Sequence, residues 1–224
     1  MLFKTNGIVF RFIRYKETSI IATVFTEKFG IQSYIVNGIR SKKPKMGIAL
    51  FQPLTLLEMV VYQKENASLN RISEIKCLDP YRDIPVKVRK FSIVLFLSEV
   101  LFKSIKHESH PEVIFRFLHT SMLSLEHLHS QFENFHLQFL LKLTQYLGIQ
   151  PDSGTALRNQ LLHGNSDMED SIDHFLQNGY DSYLSITNKE RLHVLDYILE
   201  YYKLHIDGFG NIQSSHVLHD VIHH

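Results

Sequence analysis

The densest run of cationic side chains in this 224-residue sequence falls within six consecutive positions. Arg40, Lys42, Lys43 and Lys45 lie between two stretches that have the pattern of β-strands. Lys and Arg side chains on such a loop pair with phosphates and release counterions condensed on nucleic acid, so binding weakens as salt rises. These contacts position a polyanion without reading its bases. The segment therefore predicts a phosphate-binding loop.

The charge of the chain is divided unevenly along its length. Residues 1–90 contain 16 Lys+Arg and 7 Asp+Glu, a balance of +9, whereas residues 91–224 contain 8 and 16, a balance of −8. Together they give the net charge of +1. This asymmetry favours a polyanion-binding front half and an acidic back half with another role. A dipolar protein whose halves attract each other is the alternative interpretation.

Four further cations, Arg11, Arg14, Lys16 and Arg71, would extend the basic surface if they lie on one face. Aromatic residues are interleaved with the cations, namely Phe10, Phe12, Tyr15, Tyr34 and Phe51. A cationic groove with stacking rings is typical of proteins that bind single strands. Packing in a hydrophobic core is the competing interpretation of these rings.

The first 80 residues have the alternation and turn residues of an all-β domain. Five strands are predicted, at residues 7–15, 19–26, 31–36, 54–63 and 69–76. Five short strands fit a small closed barrel, because closure removes sheet edges that would promote aggregation. An SH3-like barrel has a similar number of strands, and periodicity does not separate it from an oligonucleotide-binding (OB) barrel.

After Pro80 the apolar period changes from about 2 to about 3.6 residues, which indicates helices. Helices are predicted at residues 86–105, 109–129, 133–147, 170–177, 187–205 and 214–222, with a polar loop over 149–166. We therefore predict a multi-domain α+β protein, with an OB-fold-like barrel at residues 1–80 and an all-α domain at 81–224.

Lysines at the ends of the predicted helices are candidates for binding a partner peptide. They are Lys103, Lys106, Lys142 and Lys203. Because long cationic side chains also serve simply to solvate helix ends, ordinary surface positions are the alternative interpretation.

Patterns of catalysis and cofactor binding are absent from the sequence. It has no phosphate loop, no G-x-G-x-x-G, no G-x-S-x-G and no C-x-x-C. We expect no catalytic residues, no cofactor and no metal, since His216 and His219 alone give too few ligands. Cys77, the single cysteine, is expected to be a buried small side chain.

The sequence contains no recognisable membrane span or secretory signal. No apolar run approaches the roughly 20 residues that cross a bilayer, and the first residues lack the apolar stretch of a secretory signal. A cytoplasmic protein without membrane contact is expected.

Eight short segments occur in an order and spacing that we compare with known families. They are GIVFR (7–11), YKETS (15–19), FTEKFG (25–30), NGIRSK (37–42), FQPL (51–54), LE (57–58), YYKLHI (201–206) and GF (208–209). Together they resemble the RecO family of bacterial recombination mediators over nearly the full length, best at residues 5–80 and 190–218.

The resemblance implies an OB barrel, a helical C-terminal domain and a nucleoid-associated role in DNA repair. Such proteins bind single- and double-stranded DNA, anneal complementary strands and, with RecR, help RecA displace single-stranded DNA-binding protein. They also bind the acidic, hydrophobic C-terminal tail of that binding protein. The segment Arg40–Lys45 matches the position of the family's basic DNA-contacting loop.

One departure from the family pattern concerns zinc. Many members hold zinc with four cysteines after the helix that ends here near Gly148, whereas this chain has one cysteine. It resembles a zinc-free variant, and residues 149–185 are expected to be less rigid than in those relatives.

Two other functions compete with recombination mediation. One is an adaptor whose basic barrel contacts an acidic protein, and the other is a hydrolase based on the loop carboxylates and histidines. A comparison of binding to bare single-stranded DNA and to DNA coated by its binding protein distinguishes the adaptor from a mediator. Metal-dependent nuclease activity of the pure protein would indicate the hydrolase.

Overall fold

A computed structural model describes residues 1–39, 47–64, 67–106, 109–161 and 168–223. The chain forms two compact units. Unit 1 comprises Met1–Arg82 and Ser98–Leu123, and unit 2 comprises Asp83–Leu97 and Ser124–His224. Each unit combines segments that are separate in the sequence, so the division into domains at residues 80 and 81 stays a prediction.

The strands of unit 1 form a closed barrel with the order β1-β2-β3-β5-β4. They are β1 (Leu2–Tyr15), β2 (Ser19–Thr26), β3 (Gly30–Val36), β4 (Leu56–Tyr62) and β5 (Asn70–Cys77). Neighbouring strands are antiparallel except for the parallel pair β3–β5. The predicted fold class, an OB-like barrel with a helical region after it, is confirmed.

Strand β1 closes the barrel because its two halves pair with different neighbours. Residues from Leu2 pair with β4, and residues up to Tyr15 pair with β2. Gly7 belongs to both ladders, and a Cβ placed there would lie 2.5 Å from the Met59 Cε. The predicted start of this strand at residue 7 was therefore wrong, since the first half pairs with a strand far along the chain that local alternation does not reveal.

The interior of the barrel is filled by apolar side chains from all five strands and the adjacent 3₁₀ turn (Ile48–Phe51). Its central members include Val9, Val24, Tyr34 and Phe51, which are completely buried. The inward residues alternate with outward ones along each strand, as the pleat requires. This core fixes which side chains the barrel presents to its surroundings.

Seven α-helices lie in the described residues. They are α1 (Val88–Ser104), α2 (Pro111–His127), α3 (Phe135–Tyr146), α4 (Gly154–Asn159), α5 (Glu169–Gln177), α6 (Asn188–His205) and α7 (Ser215–His223). A capping box begins α6, with the Glu190 amide donating to the Thr187 hydroxyl. Among the described helices, none combines the length and apolar character that a bilayer crossing requires.

Helix α4 corrects the prediction of a loop over residues 149–166. The Ser153 hydroxyl caps it by accepting from the Ala156 amide at 3.1 Å. The short polar sequence has too little apolar periodicity to reveal a helix of six residues. Tertiary packing against α5, and not propensity, stabilises so short a helix.

Direct contacts hold α4 and α5 together in unit 2. The Asp173 carboxylate accepts from the Gly154 amide at 2.7 Å, and Arg158 forms an ion pair with Glu169 at 2.7 Å. The Gln138 side chain of α3 donates to the Asn178 and Gly179 carbonyls at 2.7 and 2.8 Å. Hydrogen bonds and close packing therefore organise the described parts of the segment that follows α3.

The tightest packing in this segment lies at Gly154, and its substitution should destabilise unit 2. A Cβ at Gly154 would lie 2.5 Å from the Glu169 carbonyl oxygen and 2.8 Å from its Cα, both backbone atoms. We expect Gly154→Ala to lower the free energy of unfolding by ~1–3 kcal/mol, because the helices must separate. Urea unfolding followed by circular dichroism measures this.

Gly47→Ala is the matched control for this variant. Gly47 has an ordinary φ of −77°, and a Cβ at this position would have no atom of the described residues within 4 Å. Its substitution should change the free energy of unfolding by less than about 1 kcal/mol. Equal stability of the two variants would contradict close packing of α4 on α5.

Candidate nucleic-acid interface

An outward-facing row of side chains runs around the barrel from strand to strand. Register pairs Ile13 with Ile21, Ile21 with Ile35, Ile35 with Arg71, Arg71 with Tyr62, and Tyr62 with Leu2. Directly paired residues lie on the same face of a sheet. We call these six residues, Leu2, Ile13, Ile21, Ile35, Tyr62 and Arg71, the outer row.

Four residues of the outer row are exposed, and Ile21 and Ile35 are half-buried. Ile13, Tyr62 and Leu2 are 51%, 49% and 50% exposed, and Arg71 is also exposed. The adjacent inward pair, Tyr34 and Asn70, is buried, which confirms that the row lies on the opposite face. Apolar side chains beside an exposed guanidinium suit a ligand that has both flat apolar parts and negative charge.

At one end of the outer row, described residues of β4, β5 and the chain next to them line a surface pocket of about 570 Å³. It is lined by Tyr62, Lys64, Leu69, Asn70 and Arg71. The volume lies within the roughly 300–1,000 Å³ of typical small-molecule sites. We call it the β4–β5 pocket.

Amide side chains hold this pocket in shape. The Asn70 Oδ1 accepts from the Lys64 backbone amide at 3.2 Å, which ties the two ends of the β4–β5 connection together. The Asn70 Nδ2 donates to the Gln32 Oε1 at 3.1 Å, and the Gln63 Nε2 donates to the same oxygen at 3.0 Å. These bonds link β3, β4 and β5 behind the pocket.

Four of the eight predicted DNA-binding residues, Arg11, Arg14, Lys16 and Arg71, are exposed, and no ion pair joins them to other described residues. Arg14 pairs in register with Ile20, near the β1–β2 turn, and Lys16 lies in that turn with a φ of 51°. Arg71 lies in the outer row and the β4–β5 pocket. Their role in DNA binding stays a prediction.

Arg11 differs from the other three by a contact with the ring of a distant aromatic residue. Its guanidinium carbon lies 3.5 Å from the centroid of the Phe102 ring, within unit 1. A cation–π contact of this kind stabilises the fold by about 0.5–1 kcal/mol at exposed sites. Sequence patterns do not reveal this partner, because Phe102 lies in a helix far along the chain.

The predicted phosphate-binding loop, with Arg40, Lys42, Lys43 and Lys45, lies outside the described residues. Its role stays a prediction that rests on the sequence.

Of the five aromatic residues considered for stacking, three are buried and two are partly exposed. Phe10, Tyr34 and Phe51 are fully buried, so they pack in the core. Phe12 and Tyr15 are partly exposed. Sequence reasoning missed Tyr62, although the alternation of its strand, with Met59 and Val61 inside, places position 62 outside.

The lysines predicted to bind a partner lie in both units. Lys103 forms an ion pair with Glu99 at 2.9 Å, and Lys106 follows α1. Lys142 lies on α3, where burial lowers the pKa of its ammonium group, and Lys203 is exposed on α6. Nothing in these environments tests partner binding, which stays a prediction.

The thiol and the candidate metal ligands offer little reactivity. Cys77 is only partly buried, not fully buried as predicted, because it is the last residue of β5. This partial burial, and then the negative charge of Asp79, raise the pKa of its thiol. A thiol of raised pKa is a poor nucleophile at neutral pH. Within the described ranges, no group of three or more His, Cys, Asp or Glu side chains is placed to hold a metal ion.

Comparison with known proteins gives a consistent family. Residues 1–81 match the family model described as the N-terminal part of recombination protein O, and residues 87–155 match the model of its C-terminal part. The chain is 37% identical to DNA repair protein RecO of Flavobacterium psychrophilum, with 99% of both chains covered. Similar coverage relates it to DNA repair protein RecO of Bacteroides fragilis at 35% and of Flavobacterium johnsoniae at 33% identity. The chain therefore belongs to the RecO family of DNA repair proteins.

Proposed function

We propose that this protein is a recombination mediator that binds single- and double-stranded DNA and promotes annealing of complementary strands without a nucleotide cofactor. The observation that carries the proposal is the outer row, which sets an exposed cation beside exposed apolar side chains on an OB-like barrel. Membership of the RecO family and the +9 balance of residues 1–90 support it.

Annealing by this protein follows from charge neutralisation and needs no catalytic residue. Two complementary strands repel each other through their phosphates, and Lys and Arg contacts remove part of this charge by displacing counterions. Bases that the protein leaves uncovered then pair, and the base pairs themselves supply the free energy. The protein lowers the barrier to encounter and is not consumed.

The proposed partners extend this activity to DNA that is already covered. With RecR, the protein loads RecA onto DNA coated with single-stranded DNA-binding protein, and it contacts the acidic C-terminal tail of that protein. Two separate pairs of lysines are the proposed candidates for contact with such a tail, Lys103 and Lys106 in unit 1 and Lys142 and Lys203 in unit 2. This activity belongs to the cytoplasm, at the nucleoid.

Fluorescence-detected annealing across a salt series tests the proposed function. We expect the purified protein to accelerate annealing of complementary oligonucleotides without ATP. The DNA affinity should fall by about 10³-fold between 50 and 200 mM salt if six phosphates are contacted. The acceleration of annealing should fall steeply with it.

Two controls accompany the salt series. Poly-glutamate measures whether any polyanion competes, and a pair of non-complementary oligonucleotides measures aggregation. Absence of binding to bare DNA, together with binding to DNA coated by its binding protein, would favour an adaptor and contradict a mediator that acts on DNA itself.

A further inference from the structure

The β4–β5 pocket has a chemistry that a simple phosphate-binding surface does not need. We propose that it takes an unpaired base of single-stranded DNA, with the Tyr62 ring stacked on the base and Arg71 and Lys64 at the flanking phosphates. This inference rests on the proposed function, because it assigns one part of the DNA to one part of the barrel.

The Tyr62 ring lies on the outer surface of the barrel, next to a cation. Tyr62 is 49% exposed at the end of β4 and is paired across the sheet with Arg71 of β5. The Cβ atoms of such a pair lie about 4.5–5.5 Å apart. A base stacked on this ring therefore has a guanidinium within reach of its own sugar-phosphate backbone.

The lining of the pocket combines apolar surface with positive charge. Leu69, which is 36% exposed, adds apolar surface beside two cations, Lys64 and Arg71. An apolar protein side chain or a bare phosphate would satisfy only one of these two features. A nucleotide satisfies both, because it joins a flat apolar base to a negative charge.

Hydrogen bonds of the Asn70 side chain fix the backbone beside the pocket. Asn70 is 3% exposed and fixes the Lys64 backbone through its Oδ1, while Gln32 holds Asn70 from behind. A backbone held in place before binding loses less conformational entropy when the ligand arrives. Asn70 is thus a positioning residue for the backbone at Lys64, beside the Tyr62–Arg71 pair.

The outer row supplies a path for the nucleotides that follow. From Arg71 it continues through Ile35 and Ile21 to Ile13, across four strands. Bases splayed from a single strand can lie against such apolar side chains, whereas bases in a duplex are stacked on each other and cannot. The pocket should therefore discriminate single strands from duplex DNA.

Substitution of the ring tests the proposal with the full-length protein. Tyr62→Leu keeps apolar bulk and removes the aromatic face. We expect it to weaken binding of a fluorescent single-stranded oligonucleotide by about 5- to 150-fold, the range measured for loss of one stacked base. Binding of a duplex of the same length should change less than about twofold. Fluorescence anisotropy at one fixed salt concentration measures both.

Two variants act as controls. Tyr62→Phe keeps the ring and should retain the affinity for single strands. Tyr183→Leu removes a tyrosine that is also 49% exposed, but in unit 2, and should leave both affinities unchanged. Thermal unfolding of all three variants verifies that each is folded. An equal loss for single strand and duplex in Tyr62→Leu would overturn the inference, as would a full loss in Tyr62→Phe.

A second measurement uses the unaltered protein and does not depend on any variant. A single-stranded oligonucleotide containing 2-aminopurine should lose fluorescence when its base stacks on Tyr62, and Tyr62→Leu should abolish this change. An unchanged signal on binding would overturn the inference. If the unaltered protein binds no DNA at all, the proposed function itself fails, whereas tight binding with unchanged 2-aminopurine emission leaves that function standing.

Discussion

Replacing Arg40, Lys42, Lys43 and Lys45 by glutamine is expected to weaken DNA binding on the order of a thousandfold at 0.1 M salt. Removal of one phosphate-binding charge lowers the slope of log K against log salt by about 0.9 on duplex DNA, so removal of four lowers it by about 3.6. Affinities at 1 M salt, where counterion release contributes little, should then be nearly equal. The reduction should be similar for all DNA sequences, since phosphate contacts carry no base information.

A pair of double variants tests whether position, and not overall charge, causes this reduction. Lys42→Gln/Lys43→Gln removes two charges from the predicted loop. Lys4→Gln/Lys76→Gln removes two charges that both lie 3.1 Å from the Glu58 carboxylate, where they lower its pKa. We expect the salt slope to fall by about 1.8 in the first variant and to change little in the second. Equal slopes in the two would contradict a dedicated loop and favour long-range attraction by net charge.

The loop and the β4–β5 pocket make separable contributions in this scheme. Phosphates are present in single strands and duplexes alike, whereas stacking on Tyr62 needs an unpaired base. Variants of the loop should therefore change the salt dependence for both kinds of DNA. Variants of Tyr62 should change the preference between them and leave the slope almost unaltered.

Much of the barrel could be predicted because its signals are local. The strand at Ser19–Thr26 was predicted with its observed bounds, since β-branched residues and the turn at Gly30 are adjacent in the chain. The capping box at Thr187 is equally local, with its two partners three residues apart. Patterns that occupy one turn or one strand are legible without knowledge of the fold.

The pocket could not be predicted, because it depends on register between distant strands. Tyr62 and Arg71 become neighbours only when β4 and β5 pair, and Leu2 joins them only when the barrel closes. The partner of Arg11, Phe102, lies on a helix. The sequence predicts one basic surface for both arginines only if they lie on the same face, and their different surroundings depend on tertiary structure.

A buried histidine in unit 2 predicts a large loss of stability in acid. His136 of α3 is 1% exposed and packs edge-on against Phe96, with ring centroids 6.1 Å apart. Burial, reinforced by the charge of Arg191, lowers the pKa of its imidazole from 6.5 to about 3. Below pH 6.5 the unfolded chain binds a proton that the folded protein does not, so the free energy of unfolding falls as pH falls. The loss ends near pH 3 and amounts to as much as about 5 kcal/mol.

His136→Leu isolates this contribution from that of the carboxylates, which titrate over part of the same range. The variant should lose stability at pH 7 because leucine repacks the site imperfectly, but its free energy of unfolding should fall less steeply between about pH 6.5 and 4. His216→Leu, at an exposed position on α7, should keep the slope of the unaltered protein. Urea unfolding at several pH values measures the slopes, and NMR of the unaltered protein should show an imidazole that stays neutral at about pH 5. A His136 resonance that titrates near pH 6.5 would contradict its burial as a neutral ring, because only exposure to water would let the proton bind there.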